Sequence, residues 1–115
     1  MERTLVLLKP DCVDRRLVGE VISRFERKGL LISAIKMLRL TREKAAVHYA
    51  ALKGKPFYEA LIGYITVGPL VALVITGPGV IDVVRKLVGA TDAAEAVPGT
   101  IRGDLSICVT FNIVH

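Results

Sequence analysis

The sequence predicts an α+β fold, an antiparallel β-sheet covered by helices, on three observations. Apolar runs at 4–9, 31–40 and 70–75 have the length and composition of strands. The segments between them repeat apolar residues at helical spacing. Gly or Pro stands at most of the junctions.

Within 4–9, Leu5, Val6, Leu7 and Leu8 stand in a row, and Pro10, which has no N–H for a ladder, ends the strand. Leu17, Val18, Val21, Ile22 and Phe25 then mark a helix, with Glu20 and Arg24 paired on the wet side and Gly29 as the stop. The 31–40 stretch is extended and only partly alternating. Thr41 suits an N-cap, with Glu43 in the first turn of a helix that carries Ala45, Tyr49 and Leu52 on one face. Pro56 opens another short helix, where Phe57, Leu61, Tyr64 and Ile65 align, and Gly68-Pro69 breaks it. The unbroken apolar run 70–75 reads as a central strand covered on both faces. Gly77-Pro78-Gly79 turns into a helix striped by Val80, Val83, Val84, Leu87 and Val88, which Gly89 ends. A long irregular stretch holding Thr91 and Arg102 precedes a last strand at 107–114. With one helix pair set aside as an insertion, this order is the ferredoxin-like βαββαβ arrangement, a single domain over 1–115 with helices on one face of the sheet. That architecture hosts many functions, so the site must decide the chemistry.

Composition narrows the classes. Of the 115 residues 52% are hydrophobic, which excludes disorder. No apolar run approaches the ~18 residues of a membrane helix. Met1-Glu2-Arg3 leads straight into a strand with no signal segment, so a cytoplasmic protein is expected, with Cys12 and Cys108 as reduced thiols. The net charge of +5 suits an anionic partner. Three Phe, three Tyr and no Trp leave little for base stacking on an RNA-binding sheet, and 4–9 and 70–75 hold no aromatic residue at all.

Among the polar residues, Lys9 sits at a strand end, where sites commonly form. Arg85 lies one turn before Gly89, a place its charge suits even without a ligand. Arg102 stands between Pro98-Gly99 and Gly103-Asp104, small residues that let backbone approach a ligand closely. A run this long without regular structure is usually functional. Lys9, Arg85 and Arg102 together suit a polyphosphate, because the guanidinium fork binds phosphate oxygens bidentately. There is no Walker-type glycine loop. His48 reads as a structural helix-surface residue, and His115 is the last residue of the chain.

Ordered blocks over the whole chain then carry a resemblance. They are Lys9-Pro10-Asp11, Leu17-Val18-Gly19-Glu20-Val21-Ile22, Arg24-Phe25-Glu26, His48-Tyr49, Lys53-Gly54-Lys55-Pro56-Phe57-Tyr58, Val84-Arg85-Lys86, Gly89-Ala90-Thr91 and Pro98-Gly99-Thr100-Ile101-Arg102-Gly103-Asp104. The last is Asn112-Ile113-Val114-His115, an Asn-x-x-His ending. This pattern resembles the nucleoside diphosphate kinases. The resemblance implies transfer of the γ-phosphate from a nucleoside triphosphate to a diphosphate through a phosphohistidine on His115. It further implies that Arg85, Thr91 and Arg102 hold the phosphates and that Lys9 and Tyr49 lie by the transferred group. Asn112 and Lys9 would bond the ribose 3′-hydroxyl, and Phe57 would stack on the base opposite Val109. Mg²⁺ would arrive on the nucleotide phosphates, and the protein would form a homo-oligomer, a hexamer or tetramer, with no membrane or specific nucleic-acid partner. The sequence departs from the family pattern at Thr110-Phe111, where Gly-Arg is usual, and at Leu105-Ser106-Ile107-Cys108. The Ser-Asp pair and the orienting glutamate that follow the histidine in the family lie beyond His115. The resemblance therefore implies lower turnover for this chain than for one carrying that tail. It leaves as the alternative a catalytically impaired nucleotide-binding or scaffold relative.

Overall fold

A computed structural model describes residues 1–106 and Val114. The chain runs β1 (Glu2–Leu8), α1 (Pro10–Asp14), α2 (Val18–Arg27), β2 (Leu31–Leu38), α3 (Arg42–His48), α4 (Tyr58–Ile65), β3 (Leu70–Gly77), α5 (Val80–Val88) and α6 (Ile101–Leu105). Single 3₁₀ turns at Ala50–Leu52 and Ala93–Glu95 join the longer pieces.

The three strands form an antiparallel sheet in the order β1-β3-β2, so the unbroken apolar strand is central, as its composition predicts. β1 pairs with β3 without a break, from Glu2 opposite Gly77 to Leu8 opposite Val71. β2 shifts register between Ile32 and Ala34, where Ser33 turns its hydroxyl onto the Val74 carbonyl at 3.2 Å and Thr76 Oγ1 at 2.8 Å. This bulge explains why 31–40 alternates poorly in sequence. The expected strand at 107–114 falls outside the described residues, except that Val114 bridges Leu8 in antiparallel fashion.

Alternation along the strands decides which helix covers which face. Val6, Leu8, Val71, Leu73 and Ile75 point to one side and pack against Val21 and Phe25 of α2 and Val80, Val84 and Val88 of α5. Leu7 and Leu70 point to the other side and meet Ala45, Tyr49, Ile62 and Ile65 of the inserted α3–α4 pair. Helices thus cover both faces, not one as expected, because the insertion folds back over the side that α2 and α5 leave bare. Each fully buried Leu, Ile or Phe contributes roughly 1.5–3 kcal/mol.

Local signals account for most of the element ends. Thr41 caps α3 by accepting from the Lys44 N–H at 3.1 Å, a contact worth about 1 kcal/mol. Gly29 takes a φ of 95° just past α2. Two expectations need correction near the site. Pro10 does more than end β1: it is the first residue of the short helix α1, where a missing N–H costs nothing. Arg102 does not lie in irregular chain but in α6, whose N-cap Thr100 accepts from the Gly103 N–H at 3.0 Å. A smaller shift places Phe57 just before α4 rather than inside it. Cys12 is buried in the core, and burial, with the nearby Asp11 charge, pushes its thiol up to about 12. It is therefore an inert thiol at neutral pH.

Candidate active site

The site is built where β1, α5 and α6 converge. α5 ends at Gly89, with Arg85 in its last turn and exposed. The chain then loops through Thr91, also exposed, and returns as α6. A cavity of about 480 Å³ opens between them, lined by Arg85, Gly89, Thr91 and Arg102 with Val84 and Val88 of α5. No carboxylate lines it among the described residues. The sequence-predicted phosphate residues Arg85, Thr91 and Arg102 are thereby brought together.

Arg102 is 7% exposed, and its two terminal nitrogens donate to backbone carbonyls, Nη1 to Gly89 at 3.2 Å and Nη2 to Val114 at 2.7 Å. Its Nε is buried without a partner among the described residues, and an unmet buried donor costs about 1–3 kcal/mol. Burial lowers the guanidinium's pKa. A cation so placed is short of acceptors, and phosphate oxygens would supply them.

The short helix α6 that carries Arg102, and the turn before it, are fixed at several points. Arg24 of α2 pairs with Asp104 Oδ2 at 2.7 Å, and Asp104 Oδ1 accepts from the Gly99 N–H at 2.8 Å. The Gly99 N–H and then Arg24 hold the Asp104 carboxyl below the usual carboxylate range. Close approach fixes the rest: a Cβ on Gly103 would collide with the Val97 carbonyl. Gly103→Ala is therefore expected to destabilise the protein by about 2 kcal/mol, through backbone displacement in a well-packed turn. Urea denaturation checks this, and an unchanged midpoint would mean that the turn relaxes freely.

Lys9 stands between β1 and α1, 4% exposed, with its ammonium 5.6 Å from the centre of the Tyr64 ring. Tyr49 caps the C-terminal end of α3, 4% exposed, edge-on to His48 with ring centres 4.7 Å apart. Burial pushes its hydroxyl up to about 12, so at neutral pH it is a donor and not a base. Neither residue lines the Arg85–Arg102 cavity. Phe57, at the start of α4, is 51% exposed. His115, Asn112 and Val109 lie outside the described residues.

Sequence reasoning missed two members of this neighbourhood. Tyr64 reads there only as a core residue of α4, yet it donates its hydroxyl to Asp11 Oδ1. Asp11 reads only as the residue after Pro10. The available signal was a carboxylate two positions from a buried lysine. A larger hollow of about 750 Å³, lined by Pro10, Asp11, Asp14, Arg15, Arg16 and others, holds none of the predicted site residues. Its mixed charge suits a polyanion less well than the carboxylate-free cavity does.

Comparison with known proteins identifies the family. The family model described as nucleoside diphosphate kinase matches residues 2–115. The nucleoside diphosphate kinase of Archaeoglobus fulgidus is 61% identical over 115 residues, all of this chain and 76% of that protein. The one from Staphylothermus marinus is 59% identical over 114 residues, 99% of this chain and 81% of that protein. Among solved structures, a halophilic nucleoside diphosphate kinase from Halobacterium salinarum in complex with CDP superposes with a TM-score of 0.98 at 46% identity, covering 99% of this chain and 75% of that one. The apo enzyme from Encephalitozoon cuniculi gives 0.98 at 39% identity, covering 100% and 78%. With its antiparallel sheet, its inserted helix pair and this likeness along its whole length, the chain belongs to the nucleoside diphosphate kinase family and is a nucleotide phosphotransferase.

Proposed function

We propose that the chain works by two half-reactions through a phosphohistidine on His115, within one domain spanning 1–115. A ring nitrogen of His115 attacks the γ-phosphorus of a nucleoside triphosphate. The bond from that phosphorus to the β–γ bridging oxygen breaks, and the diphosphate leaves. A terminal β-phosphate oxygen of an incoming diphosphate then takes the phosphoryl group, and the imidazole is restored. Such a transfer asks the protein mainly for position and for charge stabilisation.

The observation that carries this reading is the cavity joining Arg85, Thr91 and Arg102, free of carboxylates among the described residues, with Arg102 bonded to the carbonyl of the residue before His115. These three residues hold the phosphates. Lys9 and Tyr49 lie by the transferred group, and Lys9 and Asn112 bond the ribose 3′-hydroxyl. Phe57 stacks on the base with Val109 opposite. Cations and a hydroxyl make a poor cage for a metal ion, so Mg²⁺ belongs with the substrate, carried on its phosphate oxygens. The reading of a non-catalytic scaffold relative is not favoured, since the whole-length relatives are named as kinases.

The protein also acts as a cytoplasmic homo-oligomer, a hexamer or tetramer, with no membrane or specific nucleic-acid partner. Support for assembly comes from β2, which among the described residues has β3 on one side only and leaves Leu31, Ile35 and Met37 about 60% exposed. A bare apolar edge strand of this kind is ordinarily covered by a partner. Among the described residues no helix is long and apolar enough to cross a membrane.

One experiment tests the transfer and its specificity together. The protein is charged with MgATP, freed of nucleotide, and offered ADP, GDP, CDP and UDP in turn. Each should become the triphosphate, and the four rates should lie within about tenfold, roughly 1.4 kcal/mol, because stacking and apolar packing read no base edge. No product from the charged protein would remove the covalent route. A thousandfold preference for one base would remove the proposed pocket.

A further inference from the structure

A lysine ammonium sits on a flexible four-carbon stem, so a buried one keeps a useful direction only when its surroundings hold it. Lys9 is buried, and the face of Tyr64 lies within cation–π reach of its ammonium, 5.6 Å from Nζ to the ring centre. Tyr64 belongs to α4 and is itself buried. Its hydroxyl donates to Asp11 Oδ1, a contact between residues 53 positions apart in sequence. Asp11 lies in the first turn of α1, two residues after Lys9. A strand end, the helix that follows it and a helix of the insertion are therefore joined through three side chains.

Packing alone does not explain this arrangement. Ile62 and Ile65 already bury the inner face of α4 against Leu7 and Leu70, and a phenylalanine at 64 would fill the same space. The hydroxyl and the carboxylate add two things. Donation to an anion draws electron density into the phenol ring, which makes the face turned to the ammonium more negative. The bond also fixes α4 against α1, and α4 starts directly after Phe57, seven positions before Tyr64 and about 10 Å away along the axis. The same tie thus sets the spacing between the lysine and the exposed aromatic ring.

We propose that Tyr64 and Asp11 are positioning residues for phosphoryl transfer, with Tyr64 aiming the Lys9 ammonium and Asp11 holding and polarising Tyr64. Neither needs to touch the nucleotide. The inference rests on the placement of Lys9 beside the transferred group.

The test compares Tyr64→Phe, Tyr64→Leu, Lys9→Ala and the double variant Lys9→Ala/Tyr64→Phe. Two quantities are measured on the full chain: the single-turnover rate of protein phosphorylation by MgATP, and the Kd for ADP. Phosphorylation should slow about fivefold in Tyr64→Phe and about thirtyfold in Tyr64→Leu, since small misplacement of a reacting partner is costly. ADP affinity should stay within about twofold in both. Once Lys9 is alanine, losing the Tyr64 hydroxyl should cost no further rate, because the group it aims is gone. Rates unchanged in both Tyr64 variants would overturn the proposal. So would a loss matched by weaker ADP binding, or losses that multiply in the double variant, since a merely structural tyrosine would give those. If Tyr64→Leu does not fold, Tyr64→Phe, which keeps the ring, decides by the same criteria. If Lys9→Ala alone phosphorylates at the full rate, the placement of Lys9 fails first and this inference falls with it. That outcome is distinct from an active-site lysine that Tyr64 does not serve.

Discussion

Replacing His115 by alanine is expected to abolish covalent labelling of the protein by [γ-³²P]ATP and to cut turnover by on the order of 10⁴-fold or more, as removal of a nucleophile commonly does. The argument starts from the alternatives. A serine hydroxyl needs a separate base to attack phosphorus, whereas neutral imidazole carries a nucleophilic lone pair near pH 7. Cys12 is buried, and its raised pKa leaves it protonated at neutral pH, so it cannot substitute. His48 is exposed at the end of α3 and packs edge-on against Tyr49, outside the Arg85–Arg102 cavity. In contrast, Val114, the residue before His115, receives a hydrogen bond from Arg102, which lines that cavity. Label on the unaltered protein should be lost in acid and survive base, as expected for a phosphoramidate. Nucleotide affinity should change little, because the variant leaves the proposed phosphate site, Arg85, Thr91 and Arg102, intact. Acid-labile label retained by the alanine variant would transfer the role to another histidine.

How far the fold can be read from the chain depends on where its information is local. The central strand β3 announces itself by an unbroken apolar run, and α5 by a stripe between two glycine signals, because burial and helix stops act within a few residues. Three features are not local. The side of the sheet covered by α3 and α4 depends on the direction of Leu7 and Leu70 relative to Leu8 and Val71, which register alone decides. The five-residue helix α6 is too short to show a period, and it owes its place to the Thr100 cap and to the Arg24–Asp104 pair, which spans 80 positions. Tyr64 looks apolar in a helical stripe because its hydroxyl partner, Asp11, is remote in sequence. The site shows the same division. Residue types suited to polyphosphate point to Arg85 and Arg102, but only the folded chain places both, with Thr91, around one cavity.

Arg102→Ala should lower turnover by on the order of 10²-fold or more, the usual cost of losing a donor to developing phosphoryl charge, while Lys36→Ala should change it by less than about twofold. Lys36 is the matched control: an exposed cation on β2, paired with Ala72 in the sheet and remote from the cavity. The structure adds a complication, since Arg102 also bonds the Gly89 and Val114 carbonyls. Truncation therefore leaves buried acceptors unmet, at about 1–3 kcal/mol, and loosens the residue next to His115. Lost activity could then reflect lost anchoring as well as lost charge. Two measurements separate them. Arg102→Lys restores a positive charge but has no planar fork, so it cannot reach two carbonyls and a phosphate oxygen together. It should recover ADP affinity more fully than turnover. Added guanidinium should raise turnover of Arg102→Ala severalfold by occupying the vacated space, with no effect on Lys36→Ala. Assays must run well below the unfolding temperature of each variant, so that the fraction folded is equal. Equal, small losses in Arg102→Ala and Lys36→Ala would show that Arg102 only ties the backbone together, and the phosphate site would then rest on Arg85 and Thr91.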